Sequence, residues 1–293
     1  PVKAPIPLIC IGNLVAGGMG KTPASLMLMH HFKKWGWFEN PGFLCRGYGR
    51  KNDVPVKALK ITRVDDVGDE AMILRTLAPC YVSANREKGL YLALKDKIDC
   101  LILDDGFQNT QLKYSLAGLV VNSYEGFGNS RLLPAGPLRE DVEKGLARAD
   151  FILYIRDRRG DRIARDSLES SGRCLFTVNI NYNLQDIDFN NRYIAFTGIA
   201  RPQKFYQSLK QCDLTVLETK SFPDHYAYSE KDLSYLESIA SQNNAKLVTT
   251  EKDSMRLPKW FRDKVDVLQI LFQVEQEAEF KSYLENELAL FIK

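Results

Sequence analysis

Short apolar runs alternate with longer amphipathic segments along most of this 293-residue chain. In the first half, helix-length segments such as ASLMLMHHFKKWG and REKGLYLALKD separate the runs PLICIG, PGFLC, CYVS, CLILDDG and LAGLVVN. Strands that alternate with helices in this way form βαβ units around a parallel sheet. The pattern therefore predicts an α/β fold with a mainly parallel sheet and flanking helices.

A second alternating series follows a polar stretch and an Asn- and Asp-rich segment, where we predict a hinge around residues 175–190. Its apolar runs are YIAFTGI, LTVLETKSF, AKLVTTEKD and VDVLQILFQV. Two series of this kind predict two α/β lobes with a cleft between them. We assign residues 1–180 to the first lobe and residues 181–293 to a smaller second lobe that closes over the cleft.

Composition narrows the class of protein without identifying it. The chain has 45% hydrophobic and 26% charged residues, which is typical of a soluble globular protein. No apolar run approaches the ~18 residues that span a bilayer, and no signal peptide precedes the first strand, so a cytoplasmic location is expected. A net charge of +3 is too small to indicate nucleic-acid binding. The six cysteines include no C-x-x-C pair, and we expect reduced, mostly buried thiols.

The segment GNLVAGGMGKTP (12–23), called the phosphate loop below, carries the strongest chemical signal. It follows a predicted strand and has the small residues, the lysine and the hydroxyl that hold nucleotide phosphates and Mg²⁺. Val15 stands where the strict G-x-x-x-x-G-K-[ST] pattern has glycine. An ordinary glycine-rich βα turn is the alternative interpretation. The residues predicted to bind nucleotide are Gly17, Gly18, Met19, Gly20, Lys21, Thr22 and Pro23.

Two pairs of acidic residues are candidates for magnesium binding or proton transfer. Asp104 and Asp105 follow the buried run CLIL, where a carboxylate can hold Mg²⁺ beside a phosphate loop. Such pairs also occur as simple strand-to-turn caps. Asp69 and Glu70 begin a predicted helix, where N-capping alone explains acidic residues. A second magnesium contact or a base for an acceptor hydroxyl is the functional interpretation.

Arginines and one histidine lie in loops that follow strands. Arg131 and Arg139, in GFGNSRLLPAGPLRE, could stabilise a transferred phosphoryl group or hold an anionic acceptor. His225, beside Asp224 in SFPDHYAYS, could orient a catalytic carboxylate across the cleft. His30 and His31 lie on the first helix, and we expect them to be structural.

The order of these motifs resembles that of the tetraacyldisaccharide 4′-kinase family. The matching blocks span roughly residues 6–257 and are GNLVAGGMGKTP, RGYGRK, GDEA, LDDGFQ, GFGNSRLLPAGPLRE, AFTGIARPQKF, FPDHYAYS and LVTTEKD. The resemblance implies a two-lobed P-loop kinase of lipid A biosynthesis. Such a kinase transfers the γ-phosphate of ATP to the 4′-hydroxyl of a tetraacylated diglucosamine 1-phosphate and makes lipid IVA.

The resemblance also implies roles for individual residues. Lys21 and Thr22 resemble the family's phosphate-loop lysine and magnesium threonine, and Asp69 resembles its catalytic base, paired with His225. The resemblance assigns Mg²⁺ to Thr22, Glu70, Asp104 and Asp105, catalysis also to Lys21 and Arg139, and substrate binding to Tyr48, Asn13, Arg131 and Gln108. Asn109 departs from the family, which usually has histidine after the DDGFQ block.

The resemblance further implies a monomer attached peripherally to the cytoplasmic face of the inner membrane, with no nucleic-acid partner. Family members carry an apolar anchor helix before the first strand, whereas about five residues precede it here, so we expect a truncated or shortened anchor. Three alternatives stay open from the residues alone. They are a P-loop kinase or ligase of a soluble metabolite, a nucleotide-switched binding protein or metallochaperone, and an inactive paralogue.

Overall fold

A computed structural model describes residues 1–50, 52–59, 62–163 and 165–292. Lys51, the last residue of the RGYGRK block, lies outside the described residues. The chain divides into two compact units, which are described separately. Unit 1 comprises Pro1–Ile180 and Phe272–Lys293, and unit 2 comprises Asn181–Leu271.

Unit 1 is built around a sheet whose strands are mostly buried on both faces. Its strands are β1 (Val2–Lys3), β2 (Leu8–Gly12), β3 (Pro41–Cys45), β4 (Val56–Lys57), β5 (Cys80–Val82), β6 (Cys100–Asp104), β7 (Leu112–Lys113), β8 (Leu116–Asn122), β9 (Phe151–Arg156) and β10 (Cys174–Asn183), which crosses the unit boundary. Its helices up to that boundary are α1 (Lys21–Trp35), α2 (Val64–Val67), α3 (Asp69–Leu74), α4 (Arg86–Lys95), α5 (Val142–Arg148) and α6 (Arg165–Glu169).

The main sheet of unit 1 has the order β10-β9-β8-β2-β6-β3-β5-β4. Its pairs are parallel except β4 with β5, and β1 and β7 form a separate parallel pair. Every residue of β2, β6 and β8 is buried, which explains why these strands are continuous apolar runs rather than alternating ones. The carboxyl ends of these neighbouring strands meet at one sheet edge, where ligands bind in open α/β folds.

Unit 2 has a smaller parallel sheet with the order β12-β11-β13-β14. Its elements are β11 (Arg192–Thr197), α7 (Pro202–Gln211), β12 (Thr215–Ser221), α8 (Glu230–Gln242), β13 (Lys246–Thr250), α9 (Glu251–Arg256), α10 (Lys259–Arg262) and β14 (Val265–Val274), which crosses into unit 1. Two parallel α/β sheets confirm the predicted fold class.

The C-terminal helix α11 (Glu277–Glu287) belongs to unit 1, whereas the sequence pattern predicts that residues 181–293 form the second lobe. Phe280 of α11 is fully buried, with its ring centroid 4.8 Å from that of Phe176 and 6.0 Å from that of Phe151. Helical periodicity places this aromatic side chain on the buried face of the helix. It does not specify which sheet that face covers.

No disulfide joins cysteines within the described ranges, and all of the cysteines except Cys174 are buried. None of the helices in the described ranges combines the length and the apolar composition needed to cross a lipid bilayer.

Candidate active site

The phosphate loop leads from β2 into α1 and leaves the first turn of that helix available to an anion. Gly20 precedes the helix with φ 89°, a conformation that favours glycine, and no side chain caps the helix start. The first turn also contains no acidic residue. Backbone N–H groups at an uncapped helix N-terminus bind phosphate oxygens well. The local geometry therefore suits the predicted nucleotide-binding role.

Val15, the residue that departs from the strict loop pattern, has a structural explanation. It is 5% exposed and forms an antiparallel bridge with Leu138. On either side of it, the Ala16 N–H donates to Pro137 O at 2.8 Å and the Arg139 N–H donates to Leu14 O at 2.8 Å. An extended, branched residue suits this bridge. Val15 thus pairs the phosphate loop with the segment that carries Arg139.

Asp104, at the end of β6, lies beside the start of α1. Thr22 Oγ1 donates to its Oδ2 at 2.9 Å, and Ser25 Oγ donates to its Oδ1 at 3.0 Å. Its side chain is buried, and burial followed by the neighbouring charge of Asp105 raises its pKa to about 6. The nearby Lys21 opposes this rise only in part. Asp104 is thus a buried carboxylate held by two hydroxyls.

Lys21 joins Asn13 and Asp105 at the same sheet edge. Its Nζ donates to Asn13 Oδ1 at 3.3 Å and lies 3.7 Å from Asp105 Oδ1. Burial lowers the pKa of Lys21, and the charge of Arg139 adds to that effect. The acidic groups Asp105, Asp104 and Glu70 work against it. Bound phosphates would place further negative charge beside this ammonium group.

Arg139 and Gln108 complete the cluster of predicted residues in unit 1. Arg139 Nη1 donates to Asp105 Oδ1 at 2.8 Å and to Gln108 Oε1 at 3.3 Å. Gln108 Nε2 donates to Asn13 O at 2.8 Å and to Glu140 Oε1 at 3.0 Å. Asn13, Lys21, Asp105, Gln108 and Arg139 therefore form one hydrogen-bonded and ion-paired network.

Asp69 and Glu70 begin α3, directly after Gly68. Asp69 is 2% exposed, and Glu70 is half-buried. The charge of Glu70 acts on the pKa of both Lys21 and Asp104, so it belongs to the same electrostatic environment. The Tyr48 carbonyl lies only 2.9 Å from where a Cβ on Gly68 would be, although the Tyr48 side chain is 70% exposed. The RGYG and GDE blocks therefore pack together.

Arg131 is one of the predicted site residues of unit 1 that the structure does not bring into this network. It lies on an exposed loop, where its N–H donates to Asn129 Oδ1 at 3.2 Å. Within the described part of the chain, no hydrogen bond or ion pair joins its side chain to the network. Its predicted acceptor contact stays a prediction.

His225 lies in unit 2, on the loop between β12 and α8, with φ 56°. Arg256 Nη2 is 3.2 Å from its Nδ1, and Asp224 Oδ2 is 3.8 Å from its Nε2. Below this loop, the fully buried Asp253 accepts hydrogen bonds from five groups. The donors are Thr197 Oγ1, Gly198 N, Tyr228 OH, Thr250 Oγ1 and Arg256 Nη1.

Three charged or polar residues at these sites were missed from the sequence. Ser25 lies one helical turn after Lys21, a position that could have indicated a second contact to the same strand end. Arg86 is 2% exposed and donates to Ser83 O at 2.6 Å and to Asp105 O at 3.4 Å, and only the fold places it there. Arg256 lies three residues after the LVTTEKD block, and the local pattern gives no sign that it contacts His225.

The donors at this sheet edge suit a hard cation. Thr22 supplies a hydroxyl oxygen, and Glu70, Asp104 and Asp105 supply carboxylate oxygens, the ligand type that Mg²⁺ prefers. Among the described residues, no group of three or more His, Cys, Asp and Glu side chains converges as a metal site. Magnesium bound with a nucleotide usually keeps several waters and uses one or two carboxylates. The predicted donors therefore fit magnesium by their chemistry.

The chain is similar to known proteins of one family. Residues 1–289 match the family described as tetraacyldisaccharide-1-P 4′-kinase. The tetraacyldisaccharide 4′-kinase of Paramagnetospirillum magneticum is 40% identical over 90% of this chain and 81% of its own length. That of Parvibaculum lavamentivorans is 41% identical over 88% of this chain and 75% of its own length.

A solved structure agrees with these relatives. The crystal structure of the "apo" form of LpxK from Aquifex aeolicus, in complex with ATP, superimposes with a TM-score of 0.80 at 28% identity. The match covers 98% of this chain and 90% of that one. The full-length family match and the relatives at about 40% identity lead to one conclusion: this chain belongs to the tetraacyldisaccharide-1-P 4′-kinase family.

Proposed function

We propose that this chain transfers the γ-phosphate of ATP to the 4′-hydroxyl of a tetraacylated glucosamine disaccharide 1-phosphate, with the residues of unit 1 described above holding the phosphates. The reaction class, phosphoryl transfer in lipid A biosynthesis, follows from family membership. The observation that carries the assignment of roles is the convergence of Lys21, Asp104 and Arg139 on the uncapped start of α1.

Lys21 and the loop N–H groups would bind the β- and γ-phosphates, and Arg139 would offset charge on the transferred group. Arg139 already contacts Asp105, so a phosphate oxygen would compete with that carboxylate for the guanidinium. Catalysis of this type depends mainly on positioning and on preorganised charge. The network around Asn13 and Gln108 supports such positioning because each residue donates to or accepts from a neighbour in it.

Thr22, Asp104, Asp105 and Glu70 would hold Mg²⁺, which when bound neutralises phosphate charge. Thr22 Oγ1 donates to Asp104 and so keeps its lone pairs available. Ser25 holds the other oxygen of Asp104.

Asp69 would accept the proton of the acceptor hydroxyl, and His225 would orient it. Asp69 is buried beside the loop that carries Tyr48, which supports a role in a site from which water is excluded. The pairing of Asp69 with His225, like closure of the second lobe over the cleft, stays a prediction from the resemblance. Asp69→Asn and His225→Ala, alone and combined, test it, because paired residues give non-additive losses in kcat.

We further propose that the chain is a monomer bound peripherally to the cytoplasmic face of the inner membrane. Its acylated acceptor requires access to a lipid surface. Leu132 and Leu133, 52% and 56% exposed on the loop before Arg139, support contact of unit 1 with lipid. Flotation with anionic vesicles tests the attachment, with Leu132→Ser plus Leu133→Ser expected to reduce it. Sedimentation equilibrium tests the monomer.

The reaction itself is tested by mass spectrometry of tetraacyl disaccharide 1-phosphate incubated with protein, ATP and Mg²⁺. We expect the gain of one phosphate on the 4′-oxygen. Lys21→Ala should lower kcat/KM by about 10³-fold, the loss typical of a preorganised charge at the transition state. Lys95→Ala, at an exposed position at the end of α4, is the matched control. Full activity of Lys21→Ala, or a preference for a water-soluble acceptor, would contradict the proposal.

A further inference from the structure

The loop that carries His225 is fixed through its backbone. The His225 N–H donates to Gly198 O at 3.0 Å, and the loop lies directly on this glycine. A Cβ at position 198 would lie 2.9 Å from Pro223 O and 3.3 Å from Asp253 Oδ1. A side chain at 198 would therefore push the histidine loop away from the end of β11. The blocks AFTGI and FPDHY thus meet at one contact.

Arg256 is a buried arginine beneath this loop. Its side chain is 6% exposed, and Nη1 donates to Gly198 O at 3.1 Å and to Asp253 Oδ1 at 3.4 Å. Asp253 is held in turn by Thr197 and by the Gly198 N–H. A planar guanidinium fixed at one nitrogen has little freedom at the other. The direction of Nη2 is therefore set by the fold of unit 2.

Nη2 of Arg256 lies 3.2 Å from Nδ1 of His225. A guanidinium has donors and no acceptor, so this nitrogen of the imidazole must accept. Nδ1 then carries a lone pair, and the ring proton is on Nε2. Two acids of unit 2 belong to this environment: Asp224, whose Oδ2 is 3.8 Å from Nε2, and Asp253, which accepts from Arg256 Nη1.

We propose that Arg256 is a positioning residue that holds His225 as the neutral Nε2–H tautomer, with Nε2 as a hydrogen-bond donor. In this state Nε2 has no lone pair with which to take a proton. His225 therefore serves as a donor to a carboxylate and not as the general base. The inference rests on the proposed role of His225 in the kinase reaction, and it leaves proton acceptance to an acid such as Asp69.

The first test is direct observation of the tautomer by NMR. The chain has three histidines, so ¹⁵N-histidine labelling gives a simple spectrum, and His225→Ala assigns the signals of His225. Long-range ¹H–¹⁵N correlations distinguish the two ring nitrogens. We expect His225 in the Nε2–H form in the wild-type protein and a mixture of tautomers in Arg256→Met. Protonation at Nδ1 in the wild type would overturn the proposal.

The second test is a double-mutant cycle in kcat. Arg256→Met should lower kcat at least about 10-fold in the wild-type background, because the ring loses its fixed tautomer. In the His225→Ala background it should lower kcat no further. A purely structural role through Asp253 predicts the same loss in both backgrounds, and that result would contradict the proposal.

Arg262→Met is the matched control in unit 2. Arg262 Nη2 donates to the carbonyls of Met255 and Leu257, so its removal should lower the thermal midpoint and leave kcat within about twofold. His225→Ala with full kcat would count against the proposed role of His225. The NMR measurement would still decide the tautomer in that case, so the two failures are distinguishable.

Discussion

Two buried carboxylates, one in each unit, follow parallel strands and differ in their hydrogen bonding. Asp104 in unit 1 accepts from two hydroxyls, those of Thr22 and Ser25. Asp253 in unit 2 accepts from five donors, one of them the guanidinium of Arg256. A carboxylate with two donors keeps acceptor capacity for a cation or ligand, whereas five donors leave little.

We interpret this difference as that between a ligand-binding carboxylate, the role proposed for Asp104, and a structural one, Asp253. Burial raises the pKa of Asp104 to about 6. Such a rise is expected of a buried carboxylate whose neutralising positive charge is present only when a ligand is bound. Asp253 instead joins the ends of β11 and β13 and holds Arg256 beneath the histidine loop. The role proposed for His225 therefore depends on a network in which Asp253 has little acceptor capacity left and holds Arg256 in place.

Replacement of each of these two carboxylates by asparagine tests the comparison. The largest effect is expected at Asp253. Asp253→Asn should lower the free energy of unfolding of unit 2 by about 3–5 kcal/mol, because it leaves the buried Arg256 without its charge partner. Urea denaturation followed by tryptophan fluorescence and circular dichroism measures the loss. Asp263→Asn, at an exposed position, is the control. A loss below about 1 kcal/mol, the value of a single neutral hydrogen bond, would mean that the network is not structural.

Asp104→Asn should lower activity strongly and leave the protein folded. Removing the negative charge beside Thr22 should lower kcat by about 10²–10³-fold, the size of a lost preorganised electrostatic contact. The phosphorylation of the glycolipid acceptor at saturating ATP and Mg²⁺ measures this. A variant that folds normally and keeps more than a tenth of the wild-type kcat would contradict the ligand-binding interpretation.

The raised pKa of Asp104 also predicts a pH dependence of stability. A folded-state pKa of about 6 lies above the ordinary value of 3.8, so its stabilising contribution is complete below pH 3.8 and is lost as the pH rises through 6. Two pKa units correspond to at most about 3 kcal/mol. Without ligands, wild type should therefore lose stability relative to Asp104→Asn between pH 4.5 and pH 8. An unchanged difference between the two proteins would contradict the prediction.

The smallest predicted effects come from single hydroxyl donors. Ser25→Ala removes one of the two donors to Asp104 and should cost about 1–2 kcal/mol of unfolding free energy at pH 8. Thr197→Val leaves Asp253 with four other donors and should cost about 1 kcal/mol or less. Chemical denaturation of both variants measures the difference. A larger cost at Thr197 would reverse the order that the comparison predicts.

Much of unit 1 was predictable because its strands and its phosphate loop are encoded locally. Strands β2, β6 and β8 are apolar up to their last residue, and burial of both faces confirms them as central strands. The start of α1 at Lys21 follows from glycine at position 20 and a helix-forming segment after it. The assignment of α11 to unit 1 was not predictable, because amphipathic spacing identifies a buried face and not its partner.

The sequence by itself determined the fold class, the phosphate loop and the order of chemical motifs, since burial and backbone conformation follow local pattern. The tertiary structure alone decided which groups meet. Thr22 and Asp104 are 82 positions apart, and they are neighbours because β2 and β6 pair in parallel. It decided in the same way that Val15 bridges to Leu138 and that Arg256 reaches His225. Contacts of this kind depend on sheet order and loop packing, which no local pattern specifies.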